Sequence, residues 1–307
     1  MKQTFLFFGL IFLATKTFSQ TEELQMYYPE NILFKKLQVK SVLDTIASPA
    51  LHHYKKEFDM LGRQISWYYV EDSAITRFKY IKSGDTLIKH HYYTKSGIEY
   101  PIYQTELFVY DKKGKILTYQ SSRRSYGNDF NTSECTMDKF FYDESHRLTS
   151  KLIYSNSRYK QPFSVTLKLV DSLINLVNVY SYQYNKRGKL ILMKQMISKP
   201  EYRSVDSFYY DKTNRPIKIV SRQKQAYLGE FAVGNLCGTK TIKYEENKKI
   251  EVTWTTYSDW EIKKIKTMDE EVDEFIFYPN GLKWIRNYKP GDYPKSMLNY
   301  LVYEFYK

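Results

Sequence analysis

One short hairpin motif recurs along this chain of 307 residues. In each copy an aromatic residue is followed by an acidic or amide residue, a polar turn and then lysine or arginine. A hairpin that recurs along a chain predicts neighbouring antiparallel strands, so we predict an all-β fold: an irregular array of antiparallel β-hairpins in an extended meander. The copies are Phe58–Arg63, Tyr110–Lys115, Tyr142–Arg147, Tyr184–Lys189, Tyr210–Arg215 and Tyr244–Lys249.

The copy at Tyr110–Ile116 shows the chemistry of the turn. Asp111 can accept a hydrogen bond from the backbone two residues on, and Gly114 supplies the left-handed backbone that a three-residue hairpin loop needs. This register places Asp111 opposite Lys115, an opposite-charge pair worth about 0.2–1 kcal/mol. The residues predicted to form turns are Asp59, Gly62, Asp111, Gly114, Asp143, Asn185, Gly188, Asp211, Asn214, Asn280 and Gly281.

Two copies lack a residue suited to the left-handed position. His146 and Lys248 stand where other copies have glycine or asparagine. Histidine and lysine tolerate the left-handed conformation less well than asparagine. We therefore expect the turns at His146 and Lys248 to be distorted or shorter.

The motif Tyr-Asp-x-x-Gly-Arg/Lys-Leu/Ile resembles the YD repeat of the RHS and teneurin family, most clearly at Tyr110–Ile116 and Phe58–Ile65. The shorter copy Tyr278–Lys283 resembles the MORN-type repeats of bacterial immunity-like proteins. The resemblance covers most of residues 54–283 and is to small secreted proteins of Gram-negative bacteria, mostly of unknown function. It implies a β-repeat fold. It does not imply the toxin-enclosing shell of the large family members, because the period here is irregular.

The amino terminus predicts export. Lys2 precedes the apolar run Phe5–Ala14, and small residues stand before Gln20, as in a cleaved signal peptide covering residues 1–19. This apolar run is too short to span a bilayer stably. We therefore predict a single β-repeat domain over residues 20–307, without an integral membrane segment after cleavage, in the periplasm, at the cell surface or outside the cell.

The charge of the exported part is strongly positive. The whole chain carries +13, and removal of Lys2 and Lys16 with residues 1–19, which contain no acid, leaves +11. Exported basic proteins meet acidic glycans and lipid headgroups more often than nucleic acid. The expected partner is therefore an envelope protein or an acidic glycan, and no nucleic acid.

Two cysteines bear on the redox state of the exported protein. Cys135 and Cys237 could pair in an oxidising compartment, and a loop of that length would add about 4 kcal/mol of stability. They could equally be two buried thiols, because the sequence does not give their distance.

The histidines do not indicate a metal site. His52-His53 and His90-His91 are adjacent pairs, and adjacent residues on a strand point to opposite faces. We expect solvated histidines in strands or turns, and neither a metal nor a cofactor.

Catalytic signatures are missing from the sequence. The densest acidic cluster, Met268–Glu274, is expected to be a solvated loop after Lys263–Lys266. The sequence has no Gly-x-Ser-x-Gly elbow and no phosphate-binding glycine pattern. We therefore expect no enzyme, but an exported binding or structural module of the cell envelope. The alternatives are an immunity-like protein that binds a toxin and a glycan-processing enzyme.

Overall fold

The computed structural model describes residues 28, 31–46, 54–69, 74–99, 102–124, 132–155, 161–162, 175–197, 202–228, 231–258, 265–289 and 297–306. The predicted signal peptide, His52 and His53 lie outside these residues. Within these ranges the chain forms one short helix and twenty strands, and the all-β prediction is confirmed. No helix in this part of the chain is long and apolar enough to cross a membrane.

The elements follow one another in simple order along the chain. Helix α1 covers Ile32–Leu37, and two of the strands, β6 and β11, are only two residues long. The strands are β1 Val39–Ile46, β2 Tyr54–Phe58, β3 Gln64–Tyr69, β4 Ile75–Ser83, β5 Thr86–Lys95, β6 Ile98–Glu99, β7 Gln104–Tyr110, β8 Ile116–Arg124, β9 Thr132–Tyr142, β10 Leu148–Ser155, β11 Gln161–Pro162, β12 Asn175–Tyr184, β13 Leu190–Ile197, β14 Tyr202–Tyr210, β15 Pro216–Leu228, β16 Phe231–Tyr244, β17 Lys248–Ser258, β18 Ile265–Phe277, β19 Lys283–Lys289 and β20 Met297–Phe305.

The first and last strands of the chain are neighbours. β1 pairs antiparallel with β2 on one side and with β20 on the other, so that Val42 lies opposite both Lys56 and Tyr303. The predicted open meander is therefore wrong: the antiparallel order is closed. The physical reason is that an open array leaves unpaired N–H and C=O groups at its end strands, and pairing β20 with β1 satisfies them.

The chain divides into two compact units, which we call the N-terminal and the C-terminal unit. The N-terminal unit comprises Tyr27–Val179 with Leu298–Lys307, and the C-terminal unit includes Tyr180–Met297. In the N-terminal unit, β20, β1, β2, β3, β4, β5, β7, β8, β9 and β10 pair in that order. In the C-terminal unit, β13 to β19 pair in chain order.

The turns of five of the six motif copies are held by the same backbone hydrogen bonds. The Asp111 amide donates to the Lys115 carbonyl at 2.8 Å, and Gly114 donates back to the Asp111 carbonyl at 2.9 Å. Asp111 Oδ1 accepts from the amides of Lys113 and Lys115, both at 2.8 Å. The left-handed backbone occurs at Gly62, Gly114, Gly188, Asn214 and Gly281. These bonds turn the acidic side chain towards the backbone, so Tyr110 pairs with Ile116 across the hairpin.

The two copies without glycine or asparagine behave differently from each other. His146 takes the left-handed conformation, with φ 60°, and keeps the usual turn, so no distortion occurs there. The copy at Lys248 is shorter, because Glu245 donates to the carbonyl of Lys248, only three residues on. Histidine can therefore occupy the left-handed position when the surrounding hydrogen bonds are kept.

Motif tyrosines join each hairpin to the one before it. The Tyr142 hydroxyl donates to the Ile116 carbonyl at 2.9 Å, and Lys115 Nζ lies 4.9 Å from the centre of the Tyr142 ring. This combines a hydrogen bond with a cation–π contact. Related contacts join Tyr80 to Gln64 and Arg63, Tyr210 to Leu190, and Tyr244 to Arg215. The tyrosine and the basic residue of the motif thus also contact residues of neighbouring hairpins.

Helix α1 packs against the turn at residues 59–63. Asn31 caps the helix by accepting from the Phe34 amide at 3.0 Å, and its own amide donates to the Gly62 carbonyl at 2.9 Å. The Phe34 ring meets the Phe58 ring edge-on, with centroids 4.7 Å apart. The sequence analysis did not predict this helix, because six residues are too few to show a helical period.

Candidate functional site

Three neighbouring strands of the N-terminal unit bring charged and polar side chains together beneath the surface. Lys89 and His91 lie two residues apart on β5, and therefore on the same face. Glu106 on β7 stands directly opposite Lys89, and Tyr119 on β8 reaches the same place. We call Lys89, His91, Glu106 and Tyr119 the ionic cluster.

The Glu106 carboxylate is the centre of the ionic cluster. Its Oε2 accepts from Lys89 Nζ at 2.8 Å and from His91 Nε2 at 2.7 Å, and its Oε1 accepts from the Tyr119 hydroxyl at 2.7 Å. Only 12% of the Glu106 side chain is exposed. Since an ionised carboxylate can only accept, the proton of His91 lies on Nε2. Both carboxylate oxygens are thus occupied by donors.

Burial and neighbouring charges act in opposite directions on the acid of the cluster. Burial alone would raise the pKa of Glu106, but the hydrogen bond from His91 and the charge of Lys89 lower it to about 2. Burial lowers the pKa of His91, although Glu106 opposes this effect. The cluster therefore holds a carboxylate and an ammonium with a neutral imidazole at neutral pH.

This arrangement has little of what a general acid or base requires. An efficient proton-transfer group has a pKa near the working pH, whereas the pKa of Glu106 is about 2. Its oxygens also face three protein donors instead of a free proton acceptor. The geometry is that of a buried charge network that holds β5, β7 and β8 together.

The expectation of solvated histidines is wrong for one pair. His90 and His91 are both buried, on opposite faces of β5. His90 Nδ1 lies 3.1 Å from Thr105 Oγ1, whereas His91 meets Glu106 and packs edge-on against Phe78. Strand β7 places Thr105 beside His90 and Glu106 beside His91, which the alternation of residues along one strand could not show. Among the described residues, no group of histidine, cysteine and acidic side chains could hold a metal ion.

We expect the stability of the protein to decrease as the pH falls below about 6.5, the ordinary pKa of histidine. Burial lowers the pKa of His91 and of His90, so the unfolded chain binds these protons more readily than the folded chain. Their contribution is fully present above the unfolded pKa and is lost as the pH falls towards the folded pKa. Urea unfolding at about pH 7.5, 6.5 and 5.5 measures this slope.

Substitutions at two histidines test which group is responsible. His91→Gln should flatten the decrease between about pH 6.5 and 5.5, since one lowered pKa is removed. His90→Gln provides the comparison, because burial also lowers the pKa of His90, and the slopes of the two variants divide the decrease between the two histidines. An unchanged slope in His91→Gln would show that His91 is not the titrating group.

A second feature of each unit is the row of motif turns at one end of its paired strands. We call this end the turn edge. Because paired strands are antiparallel, successive motif turns in a unit lie at the same edge. In the N-terminal unit, the Tyr110 amide donates to the Asp85 carbonyl, and Lys113 Nζ lies 2.7 Å from His146 Nε2. Neighbouring turns are therefore in contact along this edge.

The turn edge of each unit exposes cations, whereas the aspartate at the first position of a motif turn, such as Asp111 or Asp211, is bound to the backbone of its own turn. In the C-terminal unit, Asp211 accepts from the amides of Thr213 and Arg215 and from the Arg215 side chain. These backbone and side-chain bonds outweigh burial and lower the pKa of Asp211. Within the described part of the chain, four exposed turn cations have no acidic partner: Lys112, Lys186, Arg187 and Lys212.

The predicted acid–base pairs form where the base is arginine. Arg63, Arg147 and Arg215 each bind the acid of their own turn. Lys115 instead donates to the His146 carbonyl, and Lys249 binds Glu251. The rigid planar fork of arginine can reach the carboxylate while the turn is closed, whereas the flexible lysine finds other acceptors.

Two other groups from the sequence analysis are placed by the structure. Cys135 lies buried in the N-terminal unit and Cys237 lies half-buried in the C-terminal unit, and their pairing stays a prediction. The acidic segment Met268–Glu274 lies within β18, so the prediction of a solvated loop is wrong. There Arg286 of β19 binds Asp273 with two nitrogens, which stabilises the acids in a strand.

Comparison with known proteins assigns no family. No protein-family model and no curated protein matches the chain. A porin-like protein from Bacteroides uniformis is similar in structure at 8% identity and a TM-score of 0.30, over 87% of this chain and 97% of that one. A DUF3836 family protein from Parabacteroides distasonis has 18% identity and a TM-score of 0.15, over 43% of this chain and 88% of that one. Similarities of this size give no information about function.

These findings correct the resemblance to YD and MORN repeats. An extended repeat array would leave its first and last strands apart, whereas β20 pairs with β1 along seven residue pairs. The shared letters of the motif are explained by turn hydrogen bonds and tyrosine contacts, which any tight antiparallel hairpin can use.

Proposed function

We propose that this protein is an exported, non-catalytic module of the cell envelope, in which the turn edge of each unit binds acidic glycan. The observation that carries the proposal is the separation of charge in the turns. The aspartates of four turns, Asp59, Asp111, Asp143 and Asp211, are bound to the backbone of their own hairpins, whereas cations such as Lys112 and Lys186 extend into solvent.

The charge of the whole chain supports this proposal. The excess of 47 basic over 34 acidic residues gives a long-range attraction to any polyanion, and the turn edge concentrates part of it. A glycan that contains uronic acids repeats its carboxylate along the chain, so one glycan can contact more than one cation. Such contacts are weak singly, and their sum decreases with salt.

The ionic cluster supports a non-catalytic role. The buried acid with the strongest shift in pKa is used to hold three donors, and the geometry assigns it a structural part. A glycan-processing enzyme would instead need two carboxylic groups facing each other across a cleft, with one pKa raised.

The test is retention of residues 20–307 on immobilised polygalacturonate, with neutral dextran as the comparison. The combined variant Lys112→Gln, Lys186→Gln and Lys212→Gln should bind at least about tenfold more weakly at about 0.1 M salt, since each cation near an anionic surface contributes about 1 kcal/mol. The native protein should pass through dextran without retention.

A matched variant removes the same charge from elsewhere. Lys40, Lys56 and Lys79 are equally exposed but lie within strands. Their combined replacement by glutamine should leave retention within about twofold of the native value. If both variants lost retention equally, the interaction would depend on net charge and not on the turn edge. If the native protein were retained equally on dextran, acidic-glycan binding would be contradicted.

A further inference from the structure

One turn of the series is apolar at its outermost two residues. Met60 and Leu61 are 62% and 41% exposed, and the backbone bonds of their turn are those of the other copies. Turn geometry therefore does not require apolar residues at these positions. The corresponding pairs in the other turns are Lys112-Lys113, Glu144-Ser145, Lys186-Arg187 and Lys212-Thr213.

Helix α1 brings a third exposed apolar side chain to the same place. Ile32, the first residue of α1, is 73% exposed. The helix is held on the turn at both ends, by the bond from Asn31 to Gly62 and by a bond of 3.5 Å from Gln38 Nε2 to the Met60 carbonyl. We call Ile32, Met60 and Leu61 the apolar tip. Its backbone is fixed, so these side chains are exposed on a rigid support.

The helix that carries Ile32 is basic, and so is another turn of the same unit. Lys35 and Lys36 are exposed on α1, and Lys112 and Lys113 are exposed on the turn edge of the same unit. Apolar side chains with flanking lysines match a bilayer surface, where the apolar groups enter the acyl boundary and the ammonium groups meet phosphates. The core of a protein interface is instead depleted of lysine.

We propose that the apolar tip inserts into the surface of an anionic lipid bilayer and holds the N-terminal unit against the membrane. Ile32, Met60 and Leu61 supply the buried apolar area. Lys35, Lys36, Lys112 and Lys113 contact lipid phosphates without entering the hydrocarbon. This proposal goes beyond glycan binding and uses different residues for its central contact.

The experiment is flotation of residues 20–307 with vesicles of phosphatidylethanolamine and phosphatidylglycerol, compared with vesicles of phosphatidylcholine. The decisive variant is Met60→Lys with Leu61→Lys, which installs the pair that the turn at residues 111–115 already carries. The fold should tolerate it, because that turn has the same hydrogen bonds. We expect partition to anionic vesicles to fall at least about tenfold, although the variant is more positive.

Leu117→Ser is the matched control. Leu117 is 39% exposed, but it lies within β8 and not at a turn. This variant should partition as the native protein does, and a thermal midpoint should show that all variants are folded. A loss of partition in Leu117→Ser equal to that in the lysine variant would overturn the proposal.

The other outcomes also decide the question. Equal or stronger partition of the lysine variant would mean electrostatic adhesion only, and no partition of the native protein would exclude the membrane. A native dimer that the lysine variant converts to a monomer in sedimentation, without vesicle binding, would identify a second copy as the occupant of the tip.

The two proposals can fail independently. Since the lysine variant keeps the turn-edge cations, its retention on polygalacturonate should persist even where its partition to vesicles is lost.

Discussion

Glu106→Ala is expected to lower the free energy of unfolding by about 3–5 kcal/mol, the usual cost of removing one partner of a buried ion pair. The substitution leaves the ammonium of Lys89 beneath the surface without its carboxylate, at a place where the Lys89 side chain is only 19% exposed. It also removes the acceptor of His91 and of the Tyr119 hydroxyl. Urea unfolding at about pH 7.5 measures the loss.

An exposed acid provides the comparison for Glu106. Glu144 lies in the turn at residues 143–147 and is exposed, so Glu144→Ala should change the free energy of unfolding by less than about 0.5 kcal/mol. If Glu106→Ala were as mild as Glu144→Ala, the ionic cluster would not stabilise the fold. Glu106→Gln should cost less than Glu106→Ala, because the amide oxygen can still accept one of the hydrogen bonds.

Gly62→Ala is expected to destabilise the protein by about 3 kcal/mol, through left-handed strain together with a steric clash. The φ angle of Gly62 is +75°, which an L side chain rarely adopts. A Cβ atom would also lie 2.4 Å from the Asn31 carbonyl oxygen and 2.8 Å from the Lys35 nitrogen. Both are backbone atoms of the helix region, so α1 would have to move away from the turn.

Gly114→Ala separates the two causes. Gly114 has a φ of +79°, but a Cβ atom there meets nothing within 4 Å. Its substitution should therefore cost only the left-handed strain, about 1 kcal/mol. Thermal or urea unfolding of both variants gives the difference, and equal losses would show that α1 does not press on Gly62. A shift of α1 in Gly62→Ala should also weaken vesicle partition, since Ile32 is carried by this helix.

Local hairpin chemistry is accessible from sequence. Asp111 and Gly114 act within five residues of each other, and the structure has the turn hydrogen bonds and the pairing of Tyr110 with Ile116. The all-β class follows from the same pattern, since each hairpin must find neighbours for its edges. Helix α1 is different, because it exists through contacts of Asn31 and Phe34 with a turn and a strand that come later in the chain.

The candidate sites depended on long-range pairing. Lys89 and His91 on β5 share the acceptor Glu106 on β7. These two strands pair directly, although the short strand β6 lies between them in the chain, and the sequence shows no signal of this pairing. The acids near Glu271 looked solvated, but strand pairing brought Arg286 to Asp273. By contrast, the cations of the turn edge could be expected in solvent, because turn residues such as Lys112 and Lys186 are usually exposed.

The hairpins, the positive charge and the lack of a recognisable catalytic motif can be read from the sequence, because they depend on residues close together in the chain or on composition alone. Only the folded chain shows that β20 pairs with β1, that His91 binds Glu106, and that Asn31, next to Ile32, binds Gly62. Each of these contacts joins residues that are far apart in the chain, whereas turn motifs and the alternation of residues along a strand describe only residues that are close together. Their partners are selected by which strand edges remain to be paired and which faces remain to be covered.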